Sequence, residues 1–182
     1  MILWDPRKGT AEVKFGLGQN QWFECPVNTC DLSPDSSTMA AGGENGGVVL
    51  TNVKQTKVLY AFNDAHGDQS VECVRFSRTH PFMASGGLDG NLLIWDTTPF
   101  KLRHTCAHGE GVVKIQWHPS EPIVYTASLD HTVRAWDART GECTKTWTGH
   151  NDGILCIALS KDGRHIITGA DDTTARVFDT QN

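Results

Sequence analysis

Several things are missing from this 182-residue chain, and each absence closes a class of function. No apolar run reaches the roughly 20 residues that a membrane-spanning helix needs. The first residues, Met1-Ile2-Leu3-Trp4-Asp5-Pro6-Arg7, place charges where a secretory signal requires its apolar stretch. The expectation is an intracellular protein with no membrane partner, in the cytoplasm with the nucleus as a second compartment. None of the six cysteines (Cys25, Cys30, Cys73, Cys106, Cys143, Cys156) has the CxxC spacing of a zinc or redox site. Most fall inside expected strands, as reduced core or half-buried thiols that act as small hydrophobes. No HExxH, GxSxG, Walker or GxGxxG pattern occurs, so the reading is of a non-enzyme without cofactor or metal. Basic charge is also short: 16 Lys and Arg against 21 Asp and Glu give a net charge of −5. That balance argues against direct nucleic-acid binding and for a basic partner.

What the chain does contain is repetition. From His108 to His150 four short apolar runs follow one another: VVKIQW, IVYTAS, TVRAW and ECTKTW. Each is rich in β-branched or aromatic residues and is closed off by turn formers. The unit returns at a step of about 42 residues: His66, His108 and His150 mark its start, and Trp95, Trp136 and Phe178 mark its third strand. A period of about 40–45 residues, with four strands and a Gly-His near the start, is the signature of a WD40 β-propeller blade. The expected fold is therefore all-β: four-stranded antiparallel blades forming a partial ring of about four.

The chain divides on this pattern into a single propeller segment. Residues 1–15 read as a partial blade, with a third strand Met1–Asp5 and an outer strand Ala11–Phe15. Residues 16–62 are a degenerate blade, with strands expected at Pro26–Leu32, Thr38–Gly42, Gly47–Asn52 and Lys57–Phe62. Its entering loop, Gln19-Asn20-Gln21-Trp22, carries no His, and Ala41, Asn45 and Thr51 replace a hydroxyl, an Asp and a Trp. Residues 63–106 and 107–148 are full blades; the first has strands at Val71–Ser77, Phe82–Gly86, Asn91–Asp96 and Lys101–Cys106. Residues 149–182 supply only three, Ile154–Ser160, His165–Gly169 and Thr174–Asp179. Such a count does not close a ring of seven or eight blades, and it leaves strand edges open to pairing. Either the chain is roughly half of a longer protein, or two copies form a homodimeric ring. The first is preferred, because the Trp-Asp strand of the partial blade is redundant in a dimer.

A polar set recurs with the repeat: His66, Ser85, Asp89 and Trp95; His108, Thr126, Asp130 and Trp136; His150, Thr168 and Asp172, with Phe178 in place of Trp. A His, a hydroxyl and an Asp suggest nucleophilic catalysis, but an active site is needed once and this set returns in every good blade. The structural reading is a buried network, sound only if every member is satisfied. Ser128, on the same strand face as Thr126, is an alternative hydroxyl. His104 and His108 stand four apart across a strand end and a loop, which does not suit zinc.

Two surface features point to partners. The loop before each inner strand and the turn after each second strand share one face. Asp64, Asp68, Glu110, Asp152 and Asp171 fall there with Glu44, and they would draw in a Lys/Arg-rich segment. Two Trp-Asp-x-Arg boxes, at Trp4–Arg7 and Trp136–Arg139, resemble those that propeller receptors show to the adaptor of a cullin–RING ubiquitin ligase. Arg7 and Arg139 would then contact the adaptor, although the boxes lie about three blades apart rather than on neighbours.

A closer resemblance rests on Leu102–Cys106, Val124–Asp130, Trp136–Gly141 and Ala158–Asp162, with the Gly86–Gly90 turn and the Ala175–Phe178 ending. These segments look like the C-terminal blades of the angio-associated migratory cell protein family, specifically from residue 83 onward. The resemblance implies an eight-bladed ring of which this is the C-terminal half. It also implies a relation to a chaperone that captures the basic N-terminus of a new large-subunit ribosomal protein on an acidic propeller face. Members in animals are linked to cell migration, so a signalling or migration scaffold is the alternative. The family's acidic N-terminal region is absent from this sequence.

Overall fold

The computed structural model describes residues 2–5, 7–14 and 23–181. The elements are seventeen strands, with no helix among the described residues and so none long and apolar enough to cross a membrane. A two-stranded sheet pairs β1 (Ile2–Asp5) with β2 (Thr10–Lys14). Three four-stranded meanders follow. The first holds β3 (Val27–Leu32), β4 (Thr38–Gly43), β5 (Val48–Asn52) and β6 (Val58–Phe62). The second holds β7 (Val71–Phe76), β8 (Phe82–Gly87), β9 (Asn91–Asp96) and β10 (Lys101–Ala107), and the third β11 (Val112–Trp117), β12 (Ile123–Ser128), β13 (Val133–Asp137) and β14 (Cys143–Trp147). The last sheet has three strands, β15 (Ile154–Leu159), β16 (His165–Ala170) and β17 (Ala175–Asp179). All pairings are antiparallel between sequence neighbours, and the sheets form an unclosed stack.

Strand ends differ from the sequence reading by a residue or so, for local reasons. β7 stops before Ser77, whose hydroxyl accepts the His80 N–H at 3.2 Å, and β15 stops before Ser160, which accepts the His165 N–H at 2.9 Å. Thr174 caps Asp172 instead of opening β17. Phe15 and the loop Gln19–Trp22 lie outside the described residues.

Each inner strand carries a register shift at its second residue: between Val27 and Thr29, Val71 and Cys73, Val112 and Lys114, and Ile154 and Cys156. A bulge reverses the alternation of faces. It lets Val71 and Val74 both face the preceding sheet, while Cys73 faces the next one. Val71 then sits directly over Gly42, and Val112 over Gly86. The approach is close: a Cβ on Gly86 would stand 2.7 Å from Val112 Cγ1 and 2.8 Å from Cys73 Sγ. In the next joint Ile154 packs in one cluster with Ala127. This is why the second strands read as small residues (MAAGG, MASGG) and are buried end to end, covered on both faces.

The cysteines need a correction. Only Cys73 and Cys106 are buried, and burial pushes their thiols up to about 12 and about 11. Cys25 is half-buried, and Cys30, Cys143 and Cys156 are exposed, because they lie on an edge strand or on a sheet face without a neighbour.

Gly86→Ala is expected to cost about 1–3 kcal/mol by overpacking the joint between the second and third four-stranded sheets. A urea melt gives the answer: an unchanged midpoint would mean the sheets are not held at this distance.

Candidate binding face and the networks beneath it

The loop histidines and the turn aspartates meet under one end of the stack. His66 Nδ1 bonds Asp89 Oδ1 at 2.8 Å and His66 Nε2 bonds the Ser85 hydroxyl at 2.9 Å, while the same hydroxyl accepts from Trp95 Nε1 at 3.0 Å. In the next sheet His108 bonds Asp130 at 3.0 Å and Thr126 at 2.7 Å, and Trp136 donates to Thr126 at 3.0 Å. Thr126, not Ser128, is the hydroxyl of this network. Ser128 instead donates to the Glu110 carbonyl and accepts the Asp130 N–H, tying the loop to the turn. His150 bonds Asp172 at 2.9 Å and Thr168 at 2.8 Å, and Phe178 meets its ring edge-on at 6.4 Å without a donor.

In the degenerate sheet the corresponding positions hold Ala41, Asn45 and Thr51, and Thr51 Oγ1 is buried without a partner. Phe23 takes the place of the histidine. A Cβ on Gly43 would meet the Phe23 ring and Asn45 Oδ1, just as one on Gly87 would meet His66 and Asp89. The one signal for this exchange in the chain is an aromatic residue three positions before Pro26.

Backbone bonds join these loops and turns into a belt. The His66 N–H reaches Gly46 O of the preceding sheet at 3.0 Å, and the His108 N–H reaches Gly90 O at 2.8 Å. Within sheets, Leu88 N bonds Ser70 O, Leu129 N bonds Gly111 O and Asp171 N bonds Gly153 O, each at 2.9 Å. Asp64, Asp68, Glu110, Asp152 and Asp171 are all exposed on this belt, together with Glu44. None of its loops and turns (43–47, 63–70, 87–91, 107–111, 129–132, 148–153 and 171–174) contains Lys or Arg. Arg134, just inside, is absorbed by Asp130 Oδ2 at 3.1 Å and the Ala107 carbonyl at 3.0 Å. At the other end of the strands the turns carry both signs, with exposed Lys54, Lys57, Lys101, Arg139, Lys161 and Arg164 beside exposed Asp35, Glu121, Glu142 and Asp162, and Arg75, Arg103 and Lys114 are exposed along the strands between.

The two boxes are not brought together. Arg7 is exposed in the turn between β1 and β2. The Arg139 guanidinium folds back on Asp137 at 2.6 and 3.0 Å, and the Arg139 carbonyl accepts from Arg103 at 3.2 Å and lies 3.0 Å from His104 Nε2. His104 and His108 thus serve separate partners. Among the described residues no three His, Cys, Asp or Glu side chains converge as metal ligands.

Comparison with known proteins agrees with this geometry. The model of the WD domain, G-beta repeat, matches residues 19–52, 56–96, 100–137 and 141–179. The chain belongs to the WD40 repeat family. The last three WD40 matches each straddle two sheets, taking in one sheet's outer strand and ending at the next sheet's third. Relatives include human angio-associated migratory cell protein, 34% identical over 98% of this chain and 44% of its own length. An uncharacterized WD repeat-containing protein of Schizosaccharomyces pombe is 28% identical over 100% of this chain and 47% of its own. Ribosome assembly protein SQT1 of Saccharomyces cerevisiae is 22% identical over 100% and 47%. The chain thus spans about half the length of these relatives.

The WD40 networks carry a pH signature. Burial lowers the His108 pKa, against the pull of Asp130. Burial works to raise Asp89 and Asp130, but bonds from His66 and Asn91, and from Thr132, the Gly109 N–H and His108, hold both carboxyls below the ordinary range. The Asn151 N–H and Thr174 do the same for Asp172. All these groups have folded pKa values below their unfolded ones. The stability from His108 is therefore complete above about pH 6.5 and declines as pH falls further, and that from the carboxylates declines below about pH 4. Melting temperature is expected to drop in two stages on acidification, with the first blunted in His108→Asn; a rise between pH 6.5 and 5 would contradict the assignment.

Ser85→Ala leaves a buried indole N–H and a buried imidazole nitrogen unpaired, at roughly 1–3 kcal/mol for each. Chemical denaturation measures this, and a loss below about 0.5 kcal/mol would show that the network does not hold the blade.

Proposed function

We propose that this chain is a non-catalytic, protein-binding part of a WD40 propeller whose acidic loop face captures a Lys/Arg-rich segment of a large-subunit ribosomal protein during ribosome assembly. The observation that carries this reading is the make-up of the belt itself: exposed carboxylates at Glu44, Asp64, Asp68, Glu110, Asp152 and Asp171 on loops and turns that hold no Lys or Arg. A row of like charges held by a hydrogen-bonded belt speeds encounter with a basic chain and rejects acidic ones. The choice of a ribosomal partner draws on the relative named as a ribosome assembly protein. It also draws on the resemblance of the blades from residue 83 onward.

Reversing charge at Asp64, Asp68, Glu110 and Asp152 to Lys is expected to weaken binding of a basic ribosomal-protein peptide at least tenfold. Fluorescence anisotropy at low and moderate salt reads this directly. The unaltered protein should lose affinity as salt rises and the variant should show little further loss. Equal affinity of the two proteins at low salt would defeat the acidic-face reading.

A further inference from the structure

The loops and turns of the acidic belt hold only two large apolar residues, Leu88 and Leu129. Both stand at one position of the repeat, the residue that follows the second strand, and Glu44 and Asp171 hold that position in the sheets on either side. The backbone treats all four alike. The N–H of each bonds a carbonyl just before its own inner strand: Glu44 to Pro26 at 3.0 Å, and Leu88 to Ser70, Leu129 to Gly111 and Asp171 to Gly153 at 2.9 Å. The belt therefore reads, sheet by sheet, as carboxylate, leucine, leucine, carboxylate.

The two leucines are held flat. A Cβ on Gly111 would stand 2.9 Å from Leu88 Cδ2 and 3.4 Å from Leu129 Cδ1, and one on Gly153 would stand 2.9 Å from Leu129 Cδ2. Neither glycine has a positive φ, so the backbone leaves room for other residues; the leucine above does not. The joint before them is different. There Ser70 occupies the place of Gly111, accepting from Asn28 Nδ2 at 2.7 Å and donating to Glu72 Oε1 at 2.7 Å. The apolar spot thus belongs to the second and third four-stranded sheets, each of which has a sheet packed on both sides. Leu88 remains 41% exposed after its contacts with the protein are made. Exposed Glu110 and Asp152 directly precede Gly111 and Gly153. The Glu110 carbonyl accepts the Ser128 hydroxyl at 3.0 Å and the Asp152 carboxylate accepts the Gly153 N–H at 2.8 Å, which fixes both beside the leucines.

We propose that the acidic face takes a segment in which basic residues flank one large apolar side chain, with that side chain laid on Leu88 and Leu129 and its basic neighbours on Glu110 and Asp152. The inference rests on the acidic-face reading and narrows its ligand. Charge complementarity sets the flanks, since the belt has no Lys or Arg to answer an acidic segment. The leucines set the centre. A uniformly polar basic segment leaves their apolar surface without a partner, and an apolar segment without cations strips water from carboxylates that it does not pair.

Fluorescence anisotropy tests this with two synthetic Lys/Arg peptides of equal length and charge, one with a central Leu and the other with a central Ser. The Leu peptide is expected to bind the unaltered chain about tenfold more tightly. That ratio should hold as salt rises while both affinities fall, because salt screens the ion pairs and not the apolar contact. Leu88→Ser combined with Leu129→Ser, checked for folding by circular dichroism, is expected to abolish the preference and keep the affinity for the Ser peptide. Two peptides that bind the unaltered chain equally, with the same salt dependence, would overturn this inference and leave the acidic-face reading standing. No binding of either peptide would overturn both. A preference that persists in the double variant would overturn the placement on the leucines.

Discussion

The sheets of this protein stand on one another through a contact with almost no slack. A β-branched side chain at the start of each inner strand reaches the backbone of the sheet before it, which is possible only where that sheet offers Gly or Ala. Much else follows. The second strands must be small and apolar, and they are buried throughout where a sheet lies on both sides. The inner strands must be bulged, since Val71 and Val74 have to face one way and Cys73 the other. The stack also sets the spacing of the loops above it, and backbone bonds from His66 to Gly46 and from His108 to Gly90 lock neighbouring loops together.

That locking decides what the acidic residues do. Asp89, Asp130 and Asp172 stand at turn positions where a loop histidine arrives from above, and their charges are spent on the imidazole and on nearby hydroxyls, amides and backbone N–H groups. Asp64, Asp68, Glu110, Asp152 and Asp171 lie on the same belt but outward, and keep their charge for solvent or a partner. The same kind of side chain is structural or available according to its distance from an imidazole. An enzyme-like trio of His, hydroxyl and Asp is in this setting a strut. Its hydroxyl is already bonded to the imidazole and accepts from an indole N–H.

Much of this was legible in the residues. The 42-residue recurrence of His, the β-branched runs and the Gly-rich turns are local signals, and they marked the strands to within a residue or so. The His–hydroxyl–Asp–Trp pattern was legible because it repeats, and repetition separates a structural device from a catalytic one. Less was visible where one residue had to be chosen from two. Thr126 and Ser128 share a strand face, and only the register against β13 puts Thr126 opposite Arg134 and within reach of the Trp136 indole. Phe23 in place of a histidine was hidden for a different reason: an aromatic residue in a loop has no pattern, and its role exists only because Gly43 and Asn45 are beneath it.

The sequence by itself determined the class of the fold, the number of sheets and the positions of the turns. Each of these depends on residues close together in the chain, so periodicity and turn chemistry suffice. The tertiary structure decided which small residues are seats, which β-branched residues are knobs and which cysteines are buried. Those facts belong to pairs of residues from different sheets, tens of positions apart. No local propensity encodes such a pair, because it comes into being only when one sheet is laid on the next.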